Sequence, residues 1–335
     1  MIRKVIFMLL IGWAATSCEK LLIEDGSSVD PYANFDHLWE TLDRKYAFFE
    51  YKQIDWQQLG DTYRAQLHAG INEQELFDVL AAMLYELRDG HVNLESPFDR
   101  SRHWDWFLDF PPNYNRNIID RNYLGKEARF TGPLANRVID DIGYIHYSSF
   151  GEELKEEHID FLVNDFRNLR GIIIDVRSNG GGSVANSRLL ASRFADRTRK
   201  VMQLLVKKGP AHNDFYPPLI ESLEPGGDLQ YKRPVVVLMN RLSYSATNDF
   251  ILKMSAFPYV TLIGDKSGGG GGIPVDNELP NGWHFRYSTT MTLSPAGFNV
   301  EHGIEPDIYV EMNPEDEANG IDTLIEFALD YILEK

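Results

Sequence analysis

From Phe35 to about Leu87 the apolar positions of this chain recur at helical intervals. The rhythm is clearest after Asn72. Glu75 follows three residues later, the spacing of a capping box, and Leu76, Leu80, Met83 and Leu87 then recur at steps of three or four. Such a stripe is a core face rather than a site. "RDGH", Arg88 to His91, closes the run with Gly90 where a left-handed helix terminator is expected. From there to about Asn136 the period is lost among Trp, Asn, Pro and Asp, which predicts an irregular connector. Its Trp104, Trp106 and Phe107 either border a cleft or pack between layers.

Beyond the connector the pattern alternates strand and helix, the rhythm of a layered α/β domain. "IGYIHY" reads as a strand, residues 153–168 as a helix, and "GIIIDVR" as a strand whose continuous apolar run suits a sheet covered on both faces. "SNGGGS" leads into a helix over about 184–195. "PVVVLMN" is the next strand, and "NRLSYSATNDF" turns from it into a helix beginning near Ser245. "VTLIG" precedes five consecutive glycines, Gly268 to Gly272. A ribbon, "WHFRYSTTMTL", and an amphipathic helix from about Asp322 follow. The predicted organisation is a helical N-terminal region over 35–100, a connector over 101–138 and an α/β core over 139–335, without internal repeats.

Composition narrows the functions open to this fold. A chain of 335 residues with 43% hydrophobic content can bury a sizeable core, which excludes a disordered protein. Its formal charge of -17, without a basic cluster, repels phosphate backbones, so nucleic acid is not an expected partner. Ahead of the fold, Arg3 and Lys4 precede an apolar run from Val5 that is too short to span a bilayer, and "AATSC" ends at Cys18, the single cysteine. This resembles a bacterial lipoprotein signal, which implies cleavage before Cys18 and a lipid anchor on it at a membrane of the cell envelope; the competing reading is an ordinary signal peptide with a chance cysteine. Export is expected in both cases. Residues 18–34 read as a polar tether.

Two segments could carry chemistry. "SNGGGS" lacks the Lys-Ser/Thr ending of a phosphate loop and the spacing of a dinucleotide fingerprint. A glycine turn between a strand and a helix either aims unpaired N–H groups at one point, as an oxyanion hole does, or simply supplies positive φ. In "NRLSYSATNDF" a hydroxyl at a helix start is either a nucleophile in the helix field or an N-cap. Ser243 and Thr247 stand where a G-x-S-x-G elbow has glycines. A serine nucleophile also needs a base, and His91, His146 and His302 are the histidines in informative places. There is no H-E-x-x-H and no cysteine cluster, so neither a metal nor another cofactor is expected.

Four segments in order, "LRDGHVNL", "GIIIDVRSNGGGS", "VVVLMNRLSYSATNDF" and "FNVEHGIEPDIYV", together resemble the C-terminal processing peptidases, also called tail-specific or tricorn-core serine peptidases. The resemblance implies a crotonase-like or ClpP-like α/β core behind a small helical region. It also implies a protein or peptide substrate and no cofactor. It puts the nucleophile on Ser245 and the oxyanion hole on the backbone of Ala246 and Gly181, with Asp249 near a position where glutamate is usual. In the branch with a catalytic lysine that residue falls on Gly270, and Lys266 is out of register. The tricorn-like branch instead takes its base from a histidine, here His91, preceded by a serine where this chain has Gly90. Its glutamate maps near Glu301, as an orienting residue. The interval from Val92 to Ile139 is too short for the PDZ domain many members carry. The competing function is an inactive relative that binds peptides or other ligands in the same cleft.

Overall fold

A computed structural model describes residues 30–335; the expected signal, Cys18 and most of the tether lie outside the described residues. Helices α1 (Pro31–Lys45), α2 (Phe49–Lys52), α3 (Trp56–Arg64) and α4 (Glu73–Tyr85) come first. The capping box at Asn72 is complete: its side chain accepts from Glu75 N–H at 2.9 Å, and the Glu75 carboxylate accepts from Asn72 N–H at 3.0 Å. Two donors that a helix start leaves unpaired are thereby satisfied. Leu76, Leu80, Met83 and Leu87 are buried in one cluster with Phe35, Leu38 and Trp56.

The left-handed residue after α4 is Arg88, with φ 48°, and not Gly90. Arg88 holds this conformation because its guanidinium donates to Lys52 O while its own carbonyl accepts from Lys52 Nζ. Gly90 answers a different need. A Cβ there would lie 2.8 Å from both Trp106 Nε1 and the Tyr244 hydroxyl, so the position is reserved by packing rather than by φ.

The connector is more regular than its composition predicts. It is entered through β1 (Asn93–Glu95) and β2 (Arg100–Arg102), passes through short helical turns and ends in β3 (Arg129–Thr131) and β4 (Leu134–Ile139). Strands of three to six residues are too short for alternation to stand out in sequence. Then follow β5 (Ile142–Tyr147), α5 (Glu156–Phe166), β6 (Gly171–Asp175), α6 (Val184–Ser192), β7 (Arg199–Val206) and β8 (Leu219–Leu223). The chain continues through β9 (Val235–Met239), α7 (Ala246–Met254), β10 (Val260–Gly264), β11 (Pro274–Glu278), β12 (His284–Ser288), β13 (Thr290–Leu293), β14 (Ile308–Tyr309) and α8 (Thr323–Leu333).

The architecture is mixed α/β, with three sheets and flanking helices. The largest is seven-stranded, in the order β14-β10-β9-β6-β5-β4-β3, parallel from β14 to β5 and antiparallel beyond. Its central strands are continuously apolar because both faces are covered. Ile172, Ile174, Val235 and Val237 pack beneath α5, α6 and α7, whereas Ile173, Val236 and Leu238 pack against α8. The smaller sheets, β11-β12-β1-β2 and β13-β7-β8, border the carboxyl ends of this sheet on either side of Ser245. Since β1 pairs with β12, the helical region and the core share a sheet.

Candidate active site

Ser245 sits between β9 and α7 with φ 59° and ψ -119°, a conformation that an L-residue adopts only when its surroundings impose it. Its N–H donates to Gly269 O at 2.9 Å. Gly181 approaches so closely that a Cβ there would lie 2.8 Å from Ser245 Cβ, which explains the glycine. The Ser245 side chain forms no capping hydrogen bond. Its Oγ lies instead 2.9 Å from His91 Nε2. The neighbouring hydroxyls serve the local structure: Ser243 Oγ donates to Val176 O at 2.8 Å, and Thr247 Oγ1 donates to Asn179 Oδ1 at 2.8 Å. No hydroxyl of the segment caps α7: Ser243 and Thr247 tie neighbouring loops together, and Ser245, at the N-cap position, faces His91.

His91 is buried, and its loop is fixed from behind by Asp89. Asp89 Oδ1 accepts from His91 N–H at 2.8 Å and Oδ2 accepts from the Tyr46 hydroxyl at 2.8 Å. The His91 ring packs 4.9 Å from Tyr244, which in turn stacks on Trp106 at 4.4 Å. Burial lowers the imidazole pKa to about 4, with the Asp89 charge opposing that shift and nearby arginines reinforcing it. His91 is therefore neutral near pH 7, the form a general base requires. Its Nδ1 has no partner among the described residues.

Glu301 does not orient that ring. One of its oxygens accepts from Lys52 Nζ at 2.7 Å and the other from Gly271 N–H at 2.9 Å. Lys52 also stands 3.5 Å from Asp89, so one buried cation serves two buried carboxylates. Burial and the Asp89 charge push Glu301 up to about 7 in spite of Lys52. Burial would raise Asp89 too, but Lys52, His91 and two hydrogen bonds outweigh it and hold the carboxyl below its ordinary range. Sequence reasoning missed Lys52, Tyr46 and Asp89. Only Asp89 had a signal, two residues before His91.

The remaining candidates divide. Ala246 N–H, at the first position of α7, has no helical acceptor and is available to an oxyanion. Gly181 N–H donates to Asn179 Oδ1 at 3.0 Å and is already engaged. Gly270 has φ 75°, and a Cβ on it would lie 2.5 Å from Tyr244 Cζ; an aromatic ring fills the space beside the position where the other branch has its lysine. Lys266 pairs with Glu305 at 2.9 Å. Asp249 bonds Ser187 and Lys253. His146 bonds the Tyr114 hydroxyl at 3.0 Å, and His302 stacks on Tyr51. Trp106 stacks behind Tyr244 and Trp104 packs against Arg102, so these aromatics support residues of the site by packing and line neither cavity at Ser245 themselves.

Two cavities meet at Ser245. One, of about 630 Å³, is bounded mainly by Val184, Met202, Leu204 and Val300 with Arg188 and Lys253 also in its lining, the other, of about 350 Å³, holds His91, Asn93 and Arg102, and Arg286 borders both.

Residues 141–310 match the family model described as Peptidase family S41, which covers Ser245, the glycine turn and Glu301. The chain belongs to peptidase family S41. A second model, the Tricorn protease C1 domain, matches residues 30–85, so His91 falls between the two matched segments of this S41 chain. A crystal structure from Parabacteroides merdae ATCC 43184, assigned provisionally as a peptidase, is 42% identical with a TM-score of 0.88, covering 91% of this chain and 98% of that one. Mature CPAF in complex with lactacystin shares the fold at a TM-score of 0.67 and 12% identity, covering 91% of this chain and 98% of that one. Among curated relatives, a tricorn protease of Thermoplasma volcanium is 28% identical over 65% of this chain and 20% of its own length. A carboxy-terminal-processing protease of Bartonella bacilliformis is 26% identical over 56% of this chain and 43% of its own length. The S41 chain thus spans less than half the length of these curated relatives.

Proposed function

We propose that the protein is a serine peptidase that hydrolyses peptide bonds through an acyl-enzyme on Ser245, with His91 as general base. The observation that carries this reading is the 2.9 Å approach of His91 Nε2 to an Oγ in a strained strand-to-helix turn. Nε2 takes the proton as Oγ attacks the scissile carbonyl, and the C–O bond to Ser245 forms. Ala246 N–H, which has no helical acceptor, stabilises the resulting oxyanion. The imidazolium then gives its proton to the departing amine as the C–N bond breaks. Water, deprotonated by His91, then attacks the acyl carbon, the C–O bond to Ser245 breaks as Oγ takes the proton back from His91, and the acyl group leaves as a carboxylic acid that ionises in solution. Asp89 acts by holding the His91 main chain, and Glu301 by fixing the Gly271 backbone. The apolar cavity beside Ser245 suits an apolar substrate side chain.

A fluorophosphonate probe tests this. The native protein is expected to label, Ser245→Ala to lose labelling entirely, and His91→Ala to slow it by about 10²–10⁴-fold. Labelling that persists in Ser245→Ala excludes that nucleophile. A native protein that never labels favours the inactive, ligand-binding relative.

The same proposal puts the protein in the cell envelope, anchored through acylated Cys18. The basic start, the short apolar run and "AATSC" support it. Metabolic labelling with a fatty-acid analogue should mark the native chain and spare Cys18→Ser; equal incorporation in both rejects the anchor.

A further inference from the structure

The larger cavity at Ser245 is open on one side. One of its walls is a face of the β13-β7-β8 sheet, whose register sets Thr292 of β13, Leu204 of β7 and Leu219 of β8 in a row, beside the pair Met202 and Glu221. Facing residues of antiparallel strands project from the same side of a sheet. Thr292, Leu204, Met202 and Glu221 all line the cavity. Leu219 continues the row one strand further, to the edge of the sheet, where it is 57% exposed. Its neighbour Ile220 opposes Gln203 and therefore lies on the other face.

The edge itself is not built to accept another strand. Pro217 and Pro218 lead into β8 and have no N–H to give, and Arg188 engages Ser222 O at 3.1 Å. Nor does the row select for charge. Glu221, on the same face as Leu219, pairs with Arg188 at 2.9 Å and lies 3.8 Å from Lys253, whose Nζ also bonds Asp249. Two cations and two carboxylates at this end of the cavity thus balance one another. What remains for a ligand is apolar area, from Leu204 out to Leu219, with Val184 and Ile273 exposed at the cavity's rim. Isolated exposed leucines are common, but this one is continuous with the lining of a cavity at the nucleophile.

We propose that Leu219 is the floor of a second substrate subsite, which takes an apolar side chain two residues along the peptide from the one held in the cavity. The inference rests on the peptidase reading of Ser245 and deepens it. The substrate lies extended over the β13-β7-β8 sheet and is selected by a pair of alternate apolar side chains rather than by one. Alternate side chains of an extended peptide point the same way, about 7 Å apart. The step from Leu204 to Leu219 is one strand spacing, about 5 Å, so the second side chain reaches the open end of the row. The residue between them points away from the sheet, and its chemistry is left free.

Anisotropy measurements on Ser245→Ala with labelled peptides test this without turnover. Each peptide carries one fixed Phe in a Gly/Ser background, and a Leu is walked through the positions on both sides of it. Leu two residues from Phe, on one side, is expected to bind about tenfold more tightly than Ser at that position, whereas Leu at the adjacent positions gains less than about twofold. Adding Leu219→Ser should reduce the gain below about twofold, and adding Ile220→Ser, on the opposite face, should preserve it. Both side chains are about half exposed, so neither change removes core packing. A series without such a position overturns the inference, as does a gain that survives Leu219→Ser, a gain lost equally in Ile220→Ser, or no binding of any peptide. A protein that shows the paired preference but never reacts with fluorophosphonate would retain the subsite and lose the peptidase assignment. One that labels at Ser245 without the preference would retain the nucleophile and lose the subsite.

Discussion

At the residue scale, the site depends on an imidazole kept neutral by burial. In the proposed mechanism His91 works as a base only unprotonated, so the acid limb of kcat/KM should follow it at about pH 4 and not near the 6.5 of a free imidazole. A pH-rate profile on a peptide substrate checks this, and a limb centred near 6.5 would mean that His91 is solvated in the working enzyme. Its orphan Nδ1 bears on the same step. To accept from Ser245, Nε2 must be bare and Nδ1 must carry the proton, and among the described residues no acceptor holds that tautomer. Ring packing against Tyr244, together with the Asp89 bond to the main chain, supplies the orientation instead.

At the element scale, the glycine turns are shaped by what packs against them. The turn before α6 approaches the start of α7, and the run before β11 wraps around Tyr244. Gly270→Lys is expected to leave the protein without a Ser-Lys dyad. Positive φ disfavours the side chain, and its Cβ meets a buried ring at 2.5 Å. Urea unfolding should show a loss of about 1–3 kcal/mol. Labelling of Gly270→Lys/His91→Ala should be no faster than that of His91→Ala; recovery of labelling in the double variant would show that the lysine position is still usable.

At the scale of the whole molecule, Lys52 joins the two halves of the chain. From α2 it reaches the carbonyls of Leu87 and Arg88, the Asp89 carboxylate and Glu301, thereby tying the helical region, the His91 loop and the core together. Lys52→Met strands two buried carboxylates, and the expected loss is about 3–5 kcal/mol by urea unfolding at pH 7. Its pH dependence has a definite sign. Glu301 is already raised in the fold, so its stabilising contribution is full below its unfolded pKa and is lost as pH rises through about 7. His91 is depressed, so its contribution is present above about 6.5 and is lost as pH falls through about 4. The two oppose each other between pH 4.5 and 6.5. Removing Lys52 strengthens the carboxylate side, and the variant should regain stability on mild acidification. A deficit unchanged from pH 7 to pH 5 would mean that water reaches these carboxylates.

The sequence by itself determined the layered α/β core, the capping box at Asn72 and the turn that carries Ser245. These follow from periodicity and from turn chemistry, which act over a few residues and leave a pattern in the chain. It also carried enough of a family pattern to single out His91, 154 positions before Ser245. Only the tertiary structure brought Lys52 and Asp89 behind that histidine, turned Glu301 away from its ring, engaged Gly181 N–H with Asn179, and gave Gly90 and Gly270 a common cause in the bulk of Tyr244. Short strands such as β1 and β2 became visible only through their pairing, β2 with β1 and β1 with the distant β12. Contacts between residues far apart in sequence leave no local period, and the space that a side chain may occupy is set by packing from every direction at once.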